Sequence, residues 1–415
     1  RVYNEDDGVL GAGKGSHLVR LYRAFNSWVK EGAEVHFLPV TTPGGTARTR
    51  LLKVMAAPNG AALDAVTTAA ASATTLWVWV SGYLAAVQVA VGDTWEVIAA
   101  NLEGELLKIE DFLPCTVSRS TDTITLTMRH AAEASHDIPI RVRVGQATSK
   151  LGISCGTLTL ATNADADTTQ STGHTLLVTT QVAQYAPGNA ETPANAAAGF
   201  ITAINATRAY PVSAAQTGPS AVIRLFHRND RDVNEITAST LDGAQTLTLA
   251  CGAVAAGAPN LSAALASLTA MPAFRLIVTD LIDTTTLGTL SSHIEQQANG
   301  SGSGQKGQEL IFVSTKRLST AGAIPTGTSP ALTASPRYFM GWCPGHPHQA
   351  LEISARMAAE IVNNLDYPPR NYAGHVLGTS GGVPFLLPDE AVRPSDSDIN
   401  AAMVAVWSQT GGTAQ

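Results

Sequence analysis

The sequence predicts an α/β fold: a mostly parallel sheet core with helices on both faces, split by two tandem small α+β insertion domains. Three observations predict it. Near both ends of the chain, apolar runs of strand length alternate with helical patterns, which is the grammar of a parallel sheet with helical crossovers. Between those ends the pattern changes to short paired strands around single helices. That middle pattern occurs twice at one constant offset, as tandem modules do. The boundaries that follow are 1–57 for the first part of the core, 58–148 for insertion domain 1, 149–244 for insertion domain 2 and 245–415 for the second part of the core.

The first element runs from Ser16 to about Lys30. Leu18, Leu21, Tyr22, Phe25, Trp28 and Val29 recur there at helical spacing, with Ser16 as N-cap and Gly32 as the stop. EVHFLPV, 34–40, reads as a buried strand ended by Pro43-Gly44-Gly45. In the first insertion TLWVWV and AAVQVAV flank Ser81-Gly82-Tyr83 as a hairpin. Asp93 then opens a helix, DTWEVIAANLEGELLKI, and Ile124 a strand, ITLTMRH. In the second insertion Glu191 opens a helix, ETPANAAAGFITAINAT, followed by the strand AVIRLFH from Ala221. The helix starts differ by 191 − 93 = 98 positions, Ile124 and Val222 differ by the same 98, and Asp137-Ile138 falls on Glu235-Ile236. The repeating unit is a β-hairpin, a helix and a second β-hairpin.

Beyond the insertions, FRLIVTD from Phe274 reads as a strand. A helix near 285–297 uses Leu287, Leu290 and Ile294. ELIFVS from Glu309 and RYFMGW from Arg337 are further strands. The helix 350–364 faces inward through Leu351, Ala355, Ala358, Ile361 and Val362. NGSGSGQKGQ, from Asn299, is a flexible surface loop.

Bulk composition narrows the function classes. With 415 residues the chain exceeds what one core usually organises. Only 14% of it is charged, well below the roughly 25% typical of soluble domains, which suits a surface covered by other subunits. The net charge of -7 contains no run of like sign, so nothing marks a nucleic-acid footprint. No apolar run reaches the roughly 18 residues a membrane helix needs, and RVYNEDDG is unlike a signal peptide. The expectation is a cytoplasmically made soluble protein, and a start at Arg1 without Met reads as a processed or trimmed piece. Cys115, Cys155, Cys251 and Cys343 form no CxxC pair; they are either buried free thiols or disulfides between subunits of an extracellular particle. The sequons at Asn205, Asn260 and Asn299 are what a Ser/Thr-rich chain contains by chance.

Four stretches carry candidate chemistry. Gly8 to Gly15 (GVLGAGKG) nearly spells a phosphate-cradling loop, but Gly15 stands where a Ser or Thr must ligate magnesium, so it reads as a Gly-rich turn capped by Ser16. Cys343, His346 and His348 are acceptable zinc ligands, yet no fourth ligand is visible and Pro344 and Pro347 hold them apart. Gly378-Thr379-Ser380-Gly381-Gly382 resembles the nucleophile turn of a serine hydrolase. Ser380 would need a base and an acid from elsewhere; His375 shares its segment, and Asp6 and Asp7 lie in a polar stretch. Ser395 caps a last helix, DSDINAAMVAVW, whose face of Ile399, Met403, Val406 and Trp407 needs cover. No catalytic, cofactor-binding or metal residue is assigned.

GAGKGSHLVRLYRAFNSWVKEGAEVHFLPV resembles a segment of contractile phage tail sheath proteins, in particular the Mu-like group: a G-x-GS turn, an amphipathic helix and a strand ending in LPV. The later blocks follow the same order: GAPNLSAALASL, RLIVTDLIDTTTLGTLSSHI, the Ala-rich helix before Asn364, and a Pro-ended apolar strand with the last helix. The resemblance implies a core that is subtilisin-like in fold without the triad. It further implies a non-enzymatic virion protein that stacks in rings around a tail tube and contracts to drive the tube through the host envelope, with no cofactor. Its implied partners are neighbouring sheath subunits exchanging strands through terminal arms, the tail tube protein, and the baseplate and tail terminator proteins; its implied place is the virion tail. Two tandem insertions and the Lys14-Gly15 insertion depart from the family pattern, and the strand expected before the Gly turn is missing. Two other readings stay open: a secreted subtilisin-like serine hydrolase using Ser380, and a surface-binding protein using the two repeated modules.

Overall fold

Two short helices open the described part of the chain. The acidic stretch Glu5–Ala12 forms α1, capped by Asn4, whose side chain accepts from the Asp7 amide. Its first turn holds Glu5, Asp6 and Asp7 at the positive end of the helix dipole. The Gly-rich turn expected over the whole of GVLGAGKG is therefore confined to Gly13-Lys14-Gly15. Helix α2, His17–Asn26, starts where the sequence places it, with the Ser16 hydroxyl accepting from the Val19 amide. Its buried face is rotated from the expected one: Val19, Arg20, Tyr22, Ala24 and Phe25 point inward, while Leu18 and Leu21 are half-buried. Residues 34–40 carry no strand beyond a single bridge at Val35, which corrects the buried strand expected there; Leu38 and Val40 instead cover a cluster of later helices. The computed structural model describes residues 4–29, 34–40, 46–63, 67–129, 138–160, 173–179, 181–186, 191–234, 236–240, 247–252, 260–268, 276–279, 284–299, 311–316, 338–342 and 348–363.

The middle of the chain holds two modules that share the order strand, hairpin, helix, hairpin, strand, with Arg231–Val233 as an additional strand in the second. The first runs β1 Thr49–Ala56, the hairpin β2 Thr74–Val80 with β3 Tyr83–Val89, α3 Trp95–Lys108, the hairpin β4 Cys115–Ser120 with β5 Thr123–Met128, and β6 Ile140–Val144. The second runs β7 Leu151–Leu160, the hairpin β8 His174–Val178 with β9 Gln181–Tyr185, α4 Pro193–Ala206, the hairpin β10 Val212–Ala215 with β11 Val222–His227, β12 Arg231–Val233 and β13 Ile236–Thr240, before β14 Leu247–Ala250. Buried positions recur at the offset of 98: Val78 with Leu176, Val80 with Val178, Ala85 with Ala183, Leu102 with Phe200, Leu106 with Ile204 and Ile138 with Ile236. Both helices are capped alike, Thr94 accepting from Val97 and Thr192 from Asn195. Both first hairpins turn through a left-handed residue, Ser81 at φ 51 and Thr179 at φ 59.

At β5 and β11 the spacing is one residue longer. Ile124 and Leu126 match Ile223 and Leu225, whereas Val222 is 40% exposed. A slip of one residue turns a strand's side chains to the opposite face, so the sequence-level match of Ile124 to Val222 is corrected by one.

Among the described residues, three of the four sheets are antiparallel. The largest has the order β10-β11-β7-β1-β5-β4, with β14 also on β7; the others are β12-β6-β2-β3 and β13-β8-β9. Among the described strands, only β15 Leu276–Val278, β16 Ile311–Lys316 and β17 Tyr338–Trp342 pair in parallel. This overturns the predicted fold class: the described protein is mainly antiparallel sheet with few helices, not a mostly parallel, subtilisin-like α/β core. The reason is the pair β1 and β7, which fuse the two modules into one antiparallel sheet through Lys53↔Ser154 to Ala56↔Leu151. Strand β1, which precedes the first insertion in sequence, buries Leu52 and Val54 in the first module's core. Strand β12 of the second module crosses back to pair with β6.

The remaining described elements are helical or lie in the parallel sheet. Helices α5 Leu261–Leu268 and α6 Thr284–Asn299 pack through Leu261, Leu265, Leu287, Leu290 and Ile294. Helix α7, Ala350–Asn363, buries Leu351, Ala355 and Ala358 and packs Ala355, Ala358, Ala359 and Ile361 against Ala24 and Phe25 of α2. Among the described residues, no helix is long and apolar enough to cross a membrane.

Candidate functional site

The densest buried polar cluster among the described residues sits where α2 and α7 meet the first module. Arg20 lies on the inward face of α2 and is 1% exposed. Its Nη1 donates to Gln349 Oε1 at 2.6 Å and its Nη2 to Glu352 Oε1 at 2.6 Å. Glu352 is in turn bonded to His348 Nδ1 at 2.9 Å through its second oxygen, an i,i+4 pair at the start of α7. The Tyr83 hydroxyl, from the first residue of β3, donates to the same carboxylate at 3.4 Å. Burial pushes the Glu352 carboxyl up, but the Arg20 charge and the His348 hydrogen bond outweigh it and hold it down at about 2. The same burial, with Glu352 beside it, pushes the Tyr83 hydroxyl well up. Both groups therefore keep one protonation state across the neutral range.

Around this centre the two parts interlock. Arg23 pairs with Glu5 and lies 4.3 Å over the ring of Phe112, which in turn tilts against Tyr83 with centroids 5.8 Å apart. Lys14 reaches Asp111 at 3.1 Å. The hairpin turn presses directly on the cluster. Gly82 has φ +86, and a Cβ built on it would lie 2.5 Å from His348 Cε1. Gly82→Ala is thus expected to lower stability by at least about 2 kcal/mol, backbone strain plus the displaced ring. Gly92→Ala, with the same φ and open space around it, should cost about 1 kcal/mol. Thermal melts of the two variants check the difference, and equal shifts would refute the contact.

A serine, a histidine and a carboxylate close together invite a catalytic reading, and the geometry declines it. Ser81 is fully buried and its hydroxyl has no hydrogen-bond partner, so His348 does not activate it. His348 is 1% and Glu352 5% exposed, so a substrate has no approach to them. The arrangement holds charge in a fixed, buried place.

Of the candidates raised from sequence, His348 is in this cluster, while Cys343 and His346 lie outside the described residues. Among the described residues no group of three or more His, Cys, Asp or Glu could hold a metal ion. Ser380, His375 and the helix from Asp396 also lie outside the described residues. Asp6 and Asp7 serve the first turn of α1. Cys115, Cys155 and Cys251 are free and buried, and burial pushes the thiols of Cys115 and Cys155 up to about 12, which leaves them unreactive. The sequon residue Asn205 uses its amide on the backbone of Ala214, in both directions. Sequence reasoning missed Arg20 and Glu352. The one local signal was the His348 to Glu352 spacing on an amphipathic helix.

No protein-family model and no curated protein matches the chain. Among solved structures, the crystal structure of the flagellar cap protein FliD from Helicobacter pylori is similar over 50% of this chain, at 8% sequence identity and a TM-score of 0.17. The match spans 57% of that protein. A likeness this loose carries no argument about fold or function.

Proposed function

We propose that the protein is a structural subunit of a contractile phage tail sheath, working as a rigid body rather than as an enzyme. The observation that supports this reading is the join between distant blocks. Helix α2 and helix α7 belong to the two ends of the chain on which the sheath resemblance rests, and Arg20 and Glu352 tie them 332 positions apart. The same carboxylate accepts from Tyr83 of the first module. A subunit that transmits force between two packings needs its parts fixed to each other, because the energy then comes from contacts between subunits and not from deformation within one. Stacking around a tail tube, strand exchange with neighbours and attachment to baseplate and terminator belong to this proposal, as does a place in the virion tail.

Negative-stain microscopy of the full-length protein tests it. Rings or tubes are the expected result, and a monodisperse monomer at high concentration would overturn the reading. The same preparation should show no turnover of peptide or ATP and no labelling by a fluorophosphonate serine reagent. Labelling that disappears in Ser380→Ala would establish the hydrolase instead.

A further inference from the structure

We infer that Cys155 and Cys251 are a redox pair, which a low-molecular-weight disulfide oxidises to a cross-link that staples β14 to β7 and closes the second module into a covalent ring.

The two thiols belong to adjacent strands and to one core. Strand β14 pairs with β7 from Leu247↔Leu160 to Ala250↔Thr157, so the next residue, Cys251, comes against Gly156. A Cβ built on Gly156 would lie 2.8 Å from the Cα of Cys251 and 2.9 Å from its Cβ. Cys155 directly precedes that glycine. Regular alternation would turn Cys155 away from Leu158 and Leu160, yet all three lie in the second module's core together with Cys251. A bulge accounts for this. Leu225 of β11 pairs with Gly156 and the next residue, Phe226, with Ser154, so β7 holds one residue more than its partner. Gly156 takes up the extra length at φ 145, and Cys155 is brought to the face that carries Cys251. Neighbouring antiparallel strands hold facing Cα atoms about 4.5–5.5 Å apart, within the span of roughly 4.4–6.8 Å over which a disulfide closes.

Arg50 marks the same spot. Its Nη1 donates to Cys251 Sγ at 3.8 Å, and its charge acts on the Cys155 thiol, as does Cys251 itself. Two thiols and one guanidinium therefore converge, and a guanidinium beside sulfur favours the thiolate. Cys115 lies instead in the first module's core, and the groups acting on it include no second thiol.

Both thiols are buried in the folded chain, so exchange starts when β14 lifts. That strand is four residues long with Thr248 and Ala250 exposed, and strands with so little covered surface are the ones that open locally. The Cys251 thiolate then attacks one sulfur of the small disulfide. The sulfur–sulfur bond breaks, a mixed disulfide forms on Cys251 and one small thiolate leaves. When β14 returns, the Cys155 sulfur attacks Cys251 Sγ and the second small thiolate leaves. The two protons given up by the cysteines go to the two leaving thiolates. Two cysteine thiols are oxidised, and one disulfide is reduced to two thiols.

The test is incubation of the full chain with oxidised glutathione, then alkylation of the remaining thiols under denaturing conditions and peptide mapping by mass spectrometry. The expected product has lost two of its four thiols and yields one peptide pair linked through Cys155 and Cys251. Its melting midpoint should rise by roughly 5 °C, because the cross-link closes a long loop. Dithiothreitol should reverse both changes. Cys155→Ala should stop the reaction halfway and leave glutathione on Cys251, and the wild-type map decides the matter if that variant does not fold. Four thiols retained, or a link through Cys115 or Cys343 in place of this one, overturns the inference. So does a Cys155–Cys251 link found only between two copies on a non-reducing gel. A cross-link that lowers the melting midpoint overturns it too, because the strands would then be joined out of their native register.

Discussion

Arg20→Met is expected to destabilise the protein by about 3–5 kcal/mol, close to the largest effect any single side chain here can have. The guanidinium is buried and neutralises a carboxylate that is itself 5% exposed. Removing it leaves Glu352 with His348, the weaker Tyr83 bond and the buried Arg356 guanidinium four positions on, in surroundings where an undercompensated charge is costly. Glu352→Leu should cost a similar amount, since it strands Arg20. The double variant, with both charges gone and the volume kept, should lose far less than the two single losses added together. A coupling of at least about 2 kcal/mol is expected. Equilibrium unfolding of the four proteins measures it. Single losses below about 1 kcal/mol, or strictly additive ones, would mean that the cluster does not hold α2, α7 and the first module together. Limited proteolysis gives a second readout, because a loosened junction should expose cleavage sites near Gly82 before the module cores open.

The parts of the fold legible in the sequence are those whose signals are local. Ser16 capping α2, the Ser81-Gly82 turn, and the periodic Leu287, Leu290 and Ile294 are each decided within a few residues, and all occur where expected. The repeat was also legible, because buried positions such as Val78 and Leu176 keep their spacing while surface residues change. Strand direction was not legible, because it depends on strands whose pattern is masked. In β1, Arg50 occupies an inward position and donates to the Asn234 carbonyl, so its alternation looks broken. In β7, residues 151–156 are buried on both faces and include Gly152, Ser154 and Gly156, so the stretch shows no alternation by which a strand could be read. These two strands are what make the main sheet antiparallel. Arg20 escaped for a related reason. On a helix, a lone arginine reads as the solvent side until its partner is known, and that partner is 332 residues away.

Lowering the pH should destabilise the protein in two separable steps. The upper one belongs to His227, at the end of β11. Its ring is buried, neither nitrogen has a hydrogen-bond partner, and burial together with the Arg50 charge lowers its pKa to about 3. The unfolded chain takes up a proton near the ordinary histidine value of about 6.5; the folded chain does so only near 3. Between those values unfolding binds one more proton, so stability falls as the pH falls, by up to about 1.4 kcal/mol per pH unit and roughly 4 kcal/mol over the window. The lower step belongs to Glu352. Its folded pKa is depressed to about 2, so its contribution is complete above its unfolded value and disappears as the pH drops through the folded one. His227→Leu should remove the upper step alone. At pH 7 it should be neutral or stabilising by about 1 kcal/mol, since a buried imidazole without partners is replaced by an apolar side chain. His174 and His293, both lowered by burial, titrate in wild type and variant alike, so the difference between the two stability curves isolates His227. A difference that stays flat from pH 7 to pH 4 would show that His227 is protonated in the folded protein, and the inter-module packing around Arg50 would then have to accommodate a second cation.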